Sequence, residues 1–306
     1  MKDKPRICIT CGDISGIGPE IIRKSLQDER ISEIADFTVI GPEKAFENDF
    51  NGLNISFTGT GIADIEITPG KWTVQSGDIS FQSIQTAVEG VINGRFDAMV
   101  TAPICKEAVN AAGHDFPGHT EMLKAWTGAD DVIMMFLSRE MIVGLMTVHV
   151  ALSEVPKIIN LDLALQKIRL LDHELKSRLK IENPSIALCA LNPHAGENRM
   201  FGTEEDEILI PAAAEARKTG IRITDPMPAD TLFKKASNYS AVLAIYHDQG
   251  LIPAKLAPGG SVNYTGGLPI IRTSPDHGTA FDIAGKGEAD PKGMINAIDW
   301  AVKLCR

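Results

Sequence analysis

The strongest constraint on the fold is the alternation of short β-branched runs with longer stretches of helical periodicity. The runs that predict strands cover residues 6–10, 37–40, 98–101, 133–137, 142–148, 186–191 and 241–246. The helical stretches cover residues 80–91, 161–180 and 203–218, and the second repeats leucine and isoleucine near a 3.6-residue period. Strands that alternate with helices in this way predict an α/β fold with a largely parallel sheet.

Length and charge narrow the functional classes. A chain of 306 residues has room for one large or two medium domains. Its 30 Lys and Arg residues stand against 40 Asp and Glu residues, and the resulting net charge of -10 repels polyanions. We therefore expect no nucleic-acid partner and no membrane partner.

The cysteines and the apolar runs bear on the cellular compartment. Five cysteines are scattered along the chain, and the pair Cys8 and Cys11 lies in a predicted strand, which favours buried thiols over a metal or redox pair. The apolar run near the N-terminus is too short for a signal peptide, and no apolar run reaches the length of a membrane span. These features predict a cytoplasmic protein.

Polar segments follow several predicted strands, where parallel α/β sheets place their ligands. They are residues 12–20, 101–106, 147–149, 192–196 and 246–250. In the first of them, Gly16-Ile17-Gly18 is either a backbone nest for an anion or a tight turn from strand to helix. The segment matches neither a Rossmann fingerprint nor a P-loop.

Three histidines, His149, His194 and His247, stand in turn-like settings at the ends of predicted strands. Each alone is more simply interpreted as a structural residue. Because neighbouring parallel strands bring their carboxyl ends together, the three imidazoles together predict a divalent metal site with open positions for substrate.

Cations outside helix surfaces point to an anionic substrate. Lys106, Lys255 and Arg272 follow turns rich in proline or glycine, although each is also compatible with a solvated surface position. His119 and Thr120 open a predicted helix, where Thr120 either meets a ligand or caps the helix. The glycine-bounded segment 276–286 offers backbone amides and Asp282 to an adenosine.

With these segments in view, the chain resembles the 4-hydroxythreonine-4-phosphate dehydrogenase (PdxA) family of vitamin B6 biosynthesis. The resemblance rests on six ordered motifs, from Gly-Asp-x-x-Gly-Ile-Gly-Pro-Glu20 to Arg272-Thr-Ser-x-Asp-His-Gly-Thr-Ala280. Between them lie Val100-Thr-Ala-Pro-Ile-x-Lys106, Gly118-His-Thr-Glu121, Asn192-Pro-His-Ala-Gly-Glu197 and Tyr246-His-Asp-Gln-Gly250.

The resemblance implies a two-domain isocitrate/isopropylmalate dehydrogenase-like fold with helices on both faces of largely parallel sheets. Residues 1–125 and 268–306 would form the first domain, which includes the C-terminal cofactor loop. Residues 126–267 would form the second domain, which carries the metal-binding histidines. The family also implies a homodimer with the active site at its interface.

The resemblance also implies roles for individual residues. His149, His194 and His247 would bind one divalent ion, which is zinc, magnesium or cobalt. The residues implied to contact the phosphorylated substrate are His119, Thr120, Lys255, Asn263 and Arg272, and those implied to contact NAD or NADP are Gly278, Thr279, Ala280 and Asp282. Two candidates for the catalytic base remain, Asp248 and Lys106.

The implied reaction is the oxidation of 4-phosphohydroxy-L-threonine to 2-amino-3-oxo-4-phosphooxybutanoate, which decarboxylates to 3-amino-2-oxopropyl phosphate. The chain has Ile14-Ser15 and Thr101-Ala-Pro-Ile104 where the best-known members have Pro-Ala and Thr-Gly-Pro-Val. A paralogous dehydrogenase of D-threonate or D-erythronate 4-phosphate is therefore an alternative. A metal-dependent hydrolase and a non-catalytic binding protein are further alternatives, and the adenosine-type loop argues against both.

Overall fold

The computed structural model describes residues 4–46, 50, 55–60 and 65–306. Residues 1–3, part of the N-terminal segment considered for a signal peptide, lie outside this range. Contacts divide the chain into a first unit, Met1–Asp130 with Leu268–Arg306, and a second unit, Asp131–Gly267. The sequence predicts the first boundary after residue 125 rather than after Asp130.

The strands of the described residues are short. They are β1 (Arg6–Thr10), β2 (Asp36–Ile40), β3 (Ile55–Thr58), β4 (Ala98–Thr101), β5 (Ile133–Leu137), β6 (Ile142–Leu145), β7 (Ser185–Leu188), β8 (Arg222–Ile223), β9 (Ala241–Ala244), β10 (Val262–Gly266) and β11 (Arg272–Pro275).

Most of the helices are longer than the strands and lie between them in sequence. They are α1 (Gly18–Leu26), α2 (Glu29–Ser32), α3 (Val74–Ile92), α4 (Lys106–Ala111), α5 (His119–Thr127), α6 (Val155–Ile158), α7 (Leu161–Ser177), α8 (Ile210–Lys218), α9 (Ala229–Leu232), α10 (His247–Leu256) and α11 (Lys292–Leu304). None of the described helices combines the length and hydropathy of a membrane span.

The first unit contains a parallel sheet in the order β3-β2-β1-β4-β11. The central strands β1, β4 and β11 are buried along nearly their whole length, whereas the outer strand β3 has no buried residue. Strands covered on both faces need apolar side chains on both, which explains why β1 and β4 are mostly apolar in sequence.

The second unit contains strands in the order β10-β5-β6-β9-β7-β8. The β10, β5 and β6 strands pair antiparallel in turn, whereas β6, β9, β7 and β8 pair parallel. The carboxyl ends of β6, β9 and β7 therefore lie along one edge, and the segments that carry His149, His247 and His194 leave from it. The α/β class with largely parallel sheets is confirmed.

In helix α7, the apolar residues that repeat in the sequence form the buried face of the helix. Asn160 caps its N-terminus by accepting a hydrogen bond from the Leu163 amide, 2.9 Å away. Ile168, Leu171 and Leu175 share its buried face, as the predicted period requires. Burying such side chains stabilises the unit by about 1.5–3 kcal/mol each.

The sequence missed two strands that lie next to the candidate site residues. The β10 strand contains Asn263, Tyr264, Thr265 and Gly266, and β11 contains Arg272, a serine and a threonine. Their composition is typical of loops, and they become strands because neighbouring strands pair with them and bury them.

Candidate functional site

The second unit brings two of the three predicted metal ligands together. The imidazole rings of His149 and His247 have centroids 5.5 Å apart. Both line a cavity of about 260 Å³ with Tyr246 and Asp248, and its remaining walls are apolar: Val148, Val150, Leu152 and Val155. A pair of solvent-accessible imidazoles that lines such a cavity is a donor set that suits a divalent ion.

The third predicted ligand, His194, lies on a separate turn after β7. Its ring is packed near Phe201, with centroids 6.4 Å apart. Within the described part of the chain, no group of three His, Cys, Asp or Glu side chains is arranged to hold a metal ion. A metal site formed by all three histidines of a single chain therefore stays a prediction. Two of the three histidines, His149 and His247, are adjacent.

A chain of hydrogen bonds fixes the strand ends that precede these histidines. The Thr147 hydroxyl donates to the Ile245 carbonyl at 2.7 Å, and the Ile245 amide donates to Gln249 Oε1 at 2.7 Å. Gln249 Nε2 then donates to the Ala190 carbonyl at 2.7 Å. These bonds connect the ends of β6, β9 and β7. The sequence motif contained Gln249, but its role depends on contacts the sequence does not reveal.

Asp248 lies beside His247. Asp248 Oδ1 is 2.7 Å from His247 Nδ1, and the Asp248 side chain is 75% exposed. A carboxylate in this position favours the tautomer that carries its proton on Nδ1 and leaves Nε2 available as a ligand atom. The geometry therefore suits an orienting role for Asp248 as well as the predicted role of base.

Cationic and polar groups gather in the first unit around Arg272. The Arg272 side chain is 3% exposed, and its Nε and Nη2 donate to Thr101 Oγ1 at 3.1 and 2.7 Å. Burial lowers the pKa of Arg272 to about 9, so the guanidinium remains protonated at neutral pH. A buried cation held in place by a hydroxyl is well suited to an anionic ligand.

His119 belongs to the same group. Its Nε2 is buried without a hydrogen-bond partner, and burial, reinforced by the charges of Arg272 and Lys106, holds its pKa well below the usual range. The side chain opens α5 behind Gly118, and no side chain caps that helix. The cap interpretation of Thr120 is therefore wrong, and the first turn of α5 keeps its amides available to a ligand.

Lys106 lies over this helix N-terminus. A β-carbon built on Gly118 would stand 3.3 Å from Lys106 Cε and 3.6 Å from its Nζ. Lys106, His119, Thr120 and Arg272 are thus neighbours in the first unit. Asn263 and Lys255 belong to the second unit, where Asn263 Oδ1 is buried without a hydrogen-bond partner and Lys255 is exposed at the end of α10.

The C-terminal glycine-bounded loop packs against the turn that follows β1. The Ile17 amide donates to the Thr279 carbonyl at 3.0 Å, and the Gly16 amide donates to the Asp13 carbonyl at 3.0 Å. Because these bonds occupy both amides, the anion-nest interpretation of Gly16-Ile17-Gly18 is wrong and the tight-turn interpretation is confirmed. Ala280 has a φ of 42°, and Asp282 is exposed.

Asp13 is a buried carboxylate that the sequence analysis did not single out. It accepts hydrogen bonds from the Ser15 amide at 2.9 Å and the Ser76 hydroxyl at 3.2 Å. Burial raises its pKa in spite of these bonds. Through Ser76, Asp13 ties the turn to the capping box that Thr73 and Ser76 form at the start of α3.

The amino-acid sequence of the chain is similar to those of known enzymes. Residues 17–301 match the family described as "Pyridoxal phosphate biosynthetic protein PdxA". A 4-hydroxythreonine-4-phosphate dehydrogenase of Geobacter metallireducens is 42% identical, over 99% of this chain and 96% of the relative. A protein of Oceanobacillus iheyensis named "Putative D-threonate 4-phosphate dehydrogenase" is 41% identical, over 99% of each chain.

Solved structures give the same picture at the level of the fold. A 4-hydroxythreonine-4-phosphate dehydrogenase of Klebsiella pneumoniae is 35% identical, with a TM-score of 0.90 over 99% of this chain and 100% of that chain. A β-decarboxylating dehydrogenase of Thermococcus kodakarensis is 16% identical, with a TM-score of 0.54 over 97% of this chain and 83% of that one. The second similarity concerns the fold alone, and it confirms the isocitrate dehydrogenase-like class.

Proposed function

Because the chain belongs to the PdxA family and is an oxidoreductase of that family, we propose that it oxidises 4-phosphohydroxy-L-threonine with NAD or NADP and a divalent metal. The product is 2-amino-3-oxo-4-phosphooxybutanoate, which decarboxylates to 3-amino-2-oxopropyl phosphate for vitamin B6 biosynthesis. The observation that carries the proposal is that one chain contains both the adjacent pair His149 and His247, in the second unit, and the buried cation Arg272, in the first unit.

The metal site fits the residues present. Two imidazoles face one cavity, and a carboxylate contacts the first ring nitrogen of His247. Zinc, magnesium or cobalt held by His149 and His247 would supply a Lewis acid that lowers the pKa of the substrate hydroxyl. We assign the third position to a histidine from the turn after β7, His194, either of the same chain or of a second copy.

The first-unit group binds the phosphorylated end of the substrate. Arg272 offers a fixed positive charge, Thr120 a hydroxyl and the first turn of α5 its amides. His119 is held neutral, so its buried Nε2 can act as a neutral donor or acceptor, depending on the tautomer. Lys255 and Asn263 are assigned to the remaining polar groups of the substrate.

The hydride acceptor is NAD or NADP. We assign its adenosine half to the loop of Gly278, Thr279, Ala280 and Asp282, where a β-carbon built on Gly278 has no atom within 4 Å. That open space permits close approach of a ligand to the backbone. The substrate hydroxyl gives its proton to Lys106 or Asp248, both of which are exposed to solvent and able to pass it on.

A second candidate, oxidation of D-threonate or D-erythronate 4-phosphate, is favoured by the 41% identical relative and by the residues Ile14-Ser15 and Thr101-Ala-Pro-Ile104. The deciding experiment follows absorbance at 340 nm with metal, NAD or NADP and each of the three 4-phosphates. We expect the highest kcat/KM with 4-phosphohydroxy-L-threonine. A tenfold higher kcat/KM with a sugar-acid phosphate would select the second candidate. If no substrate led to reduction of NAD or NADP, the metal-dependent hydrolase and the non-catalytic binding protein would become the leading alternatives.

We also propose a homodimer that assembles its active site at the subunit interface, in the cytoplasm. The proposal is supported by the described part of the chain, in which no group of three His, Cys, Asp or Glu side chains is arranged to hold a metal ion, so that a second copy would complete the site. The buried thiols Cys8, Cys11 and Cys189, which match the sequence-based interpretation, suit a reducing compartment.

A further inference from the structure

The turn that carries His194 has an uncommon backbone. Residues 194–199 all have positive φ, at 51°, 54°, 82°, 41°, 54° and 71°, and Gly196 is the only glycine among them. A side chain at positive φ brings its β-carbon close to the following carbonyl oxygen, so successive L-residues rarely adopt this conformation. The segment, called here the left-handed turn, therefore depends on contacts from outside it.

Those contacts converge on one buried carboxylate. Glu205 is 2% exposed, and its Oε1 accepts hydrogen bonds from the amides of Leu191 at 2.9 Å and Asn192 at 2.7 Å. Its Oε2 accepts from Asn192 Nδ2 at 2.9 Å. Glu205 begins a π-helical turn, Glu205–Leu209, that leads into α8. A carboxylate with three charge-assisted hydrogen bonds thus fixes the chain two residues before His194.

Two further contacts hold the left-handed turn against the same helical segment. A β-carbon built on Gly196 would lie 3.0 Å from Glu205 Oε2, so the glycine allows the carboxylate to approach the backbone. At the far end, the Arg199 guanidinium pairs with Glu207 and lies 3.9 Å from Asp206.

We propose that Glu205 is the positioning residue of His194, because its carboxylate holds the left-handed turn in the conformation that presents the imidazole. The effect on the turn follows from the hydrogen bonds alone. Its effect on metal binding rests on the proposed function, in which His194 is a ligand. Partners that orient ligand residues affect metal affinity by about 10- to 100-fold, which sets the size of the effect expected here.

The test compares Glu205→Gln with Glu215→Gln. The first keeps the shape of the side chain and an oxygen for the two backbone amides, but it removes the charge and turns an NH₂ group toward Asn192 Nδ2. The second changes a partly exposed carboxylate on α8 that pairs with Lys218. Hydrogen exchange of the metal-free proteins reports the amides of Leu191, Asn192, Glu197, Met200 and Phe201, each of which donates a hydrogen bond in or beside the turn.

We expect exchange in residues 190–202 to be at least about tenfold faster in Glu205→Gln and unchanged in Glu215→Gln. Titration with Co²⁺ alone, at a temperature where both variants are fully folded, should show an affinity at least about tenfold weaker in Glu205→Gln. Glu205→Asp, which keeps the charge, should recover part of both losses. If Glu205→Gln does not fold, Glu205→Asp is compared with Glu215→Gln in its place.

Exchange in residues 190–202 that matches the Glu215→Gln control would overturn the proposal, as would a lower melting temperature with unaltered Co²⁺ affinity. Failure of the proposed function looks different. A wild-type chain that binds no Co²⁺ would contradict the metal site, and the exchange comparison would then decide the role of Glu205 by itself.

Discussion

At the scale of single residues, the candidate site depends on buried polar groups whose charge states are set by their surroundings. Arg272 stays charged although nearly all of its side chain is buried, whereas His119 is kept neutral beside it. Burying a charged or polar group is costly unless hydrogen bonds compensate it, and buried groups with strongly shifted pKa values are frequent at functional sites. Their burial distinguishes these two residues from exposed ion pairs such as Arg6 with Asp97.

The first prediction concerns recognition of the phosphate. In the wild type, removing the phosphate from the substrate should lower kcat/KM at least about a hundredfold, because charge-assisted hydrogen bonds contribute roughly 1.5–3 kcal/mol each. Arg272→Lys keeps the charge but loses the planar guanidinium, and it should reduce this discrimination about tenfold. Steady-state kinetics with each substrate pair measure the effect.

The control for that prediction is Arg222→Ala, which removes an exposed arginine on β8 in the second unit. It should leave the discrimination unchanged. Equal kcat/KM for phosphorylated and unphosphorylated substrates in the wild type would contradict the anion site.

The second prediction concerns the pH dependence of stability. The pKa of His119 is lower in the folded chain than the unfolded value of about 6.5, so below that pH the unfolded chain binds more protons and stability falls. The stability is fully present above about pH 6.5 and is lost as the pH drops toward the folded pKa, by up to about 1.4 kcal/mol per pH unit. His119→Gln should flatten this slope between about pH 5 and 6.5.

Urea denaturation at several pH values measures the slope. His173→Gln is the matched control, because His173 is an exposed histidine on α7 and its removal should leave the slope of the wild type intact. If both substitutions changed the pH dependence of the free energy of unfolding by the same amount, the buried imidazole of His119 would not be the source of that dependence.

At the scale of secondary-structure elements, the candidate metal site depends on three parallel strands and on the bonds between their ends. The β6, β9 and β7 strands pair in register, with Val143 opposite Val242 and Ala187 opposite the same valine. Beyond the last paired residues, the backbone bond from the Thr147 amide to the Ile245 carbonyl and the side chains of Thr147 and Gln249 continue the connection. The histidines therefore leave the sheet from points whose spacing is fixed.

The third prediction tests this connection. Gln249→Leu leaves the Ile245 amide and the Ala190 carbonyl without their side-chain partner, and it should lower the free energy of unfolding by about 1–3 kcal/mol. Gln166→Leu changes an exposed glutamine on α7 and should have an effect within about 0.5 kcal/mol. Urea denaturation measures both. Equal effects of the two substitutions would contradict the role given to Gln249.

At the scale of the whole molecule, the predicted site residues are shared between the two units. Lys106, His119, Thr120 and Arg272 belong to the first unit with the proposed cofactor loop, whereas the three histidines proposed as metal ligands belong to the second. The proposed dimer adds a further level of assembly, in which His194 of one copy would complete the site of the other.

The fourth prediction tests the dimer by subunit mixing. If His194 completes the site of a second copy, His149→Ala and His194→Ala homodimers are inactive, but a mixed dimer contains one intact site. Random exchange of subunits should then restore about a quarter of the wild-type activity. Sedimentation of the wild type should show a dimer, and activity should fall on dilution below its dissociation constant. Inactive mixtures together with a fully active monomer would contradict the shared site.

The sequence by itself determined the α/β class, most of the strands and the segments where chemistry is placed, because hydrophobic period and turn residues are local properties of the chain. It also singled out His149 and His247, since each follows a strand that the pattern predicts, and Arg272, which follows a turn rich in proline and glycine. Only the tertiary structure decided that polar segments such as β10 and β11 are strands, that His119 is buried and neutral, and that Glu205 holds a left-handed turn. Those properties arise from contacts between residues far apart in the chain, and burial and hydrogen bonding at such contacts override local preference.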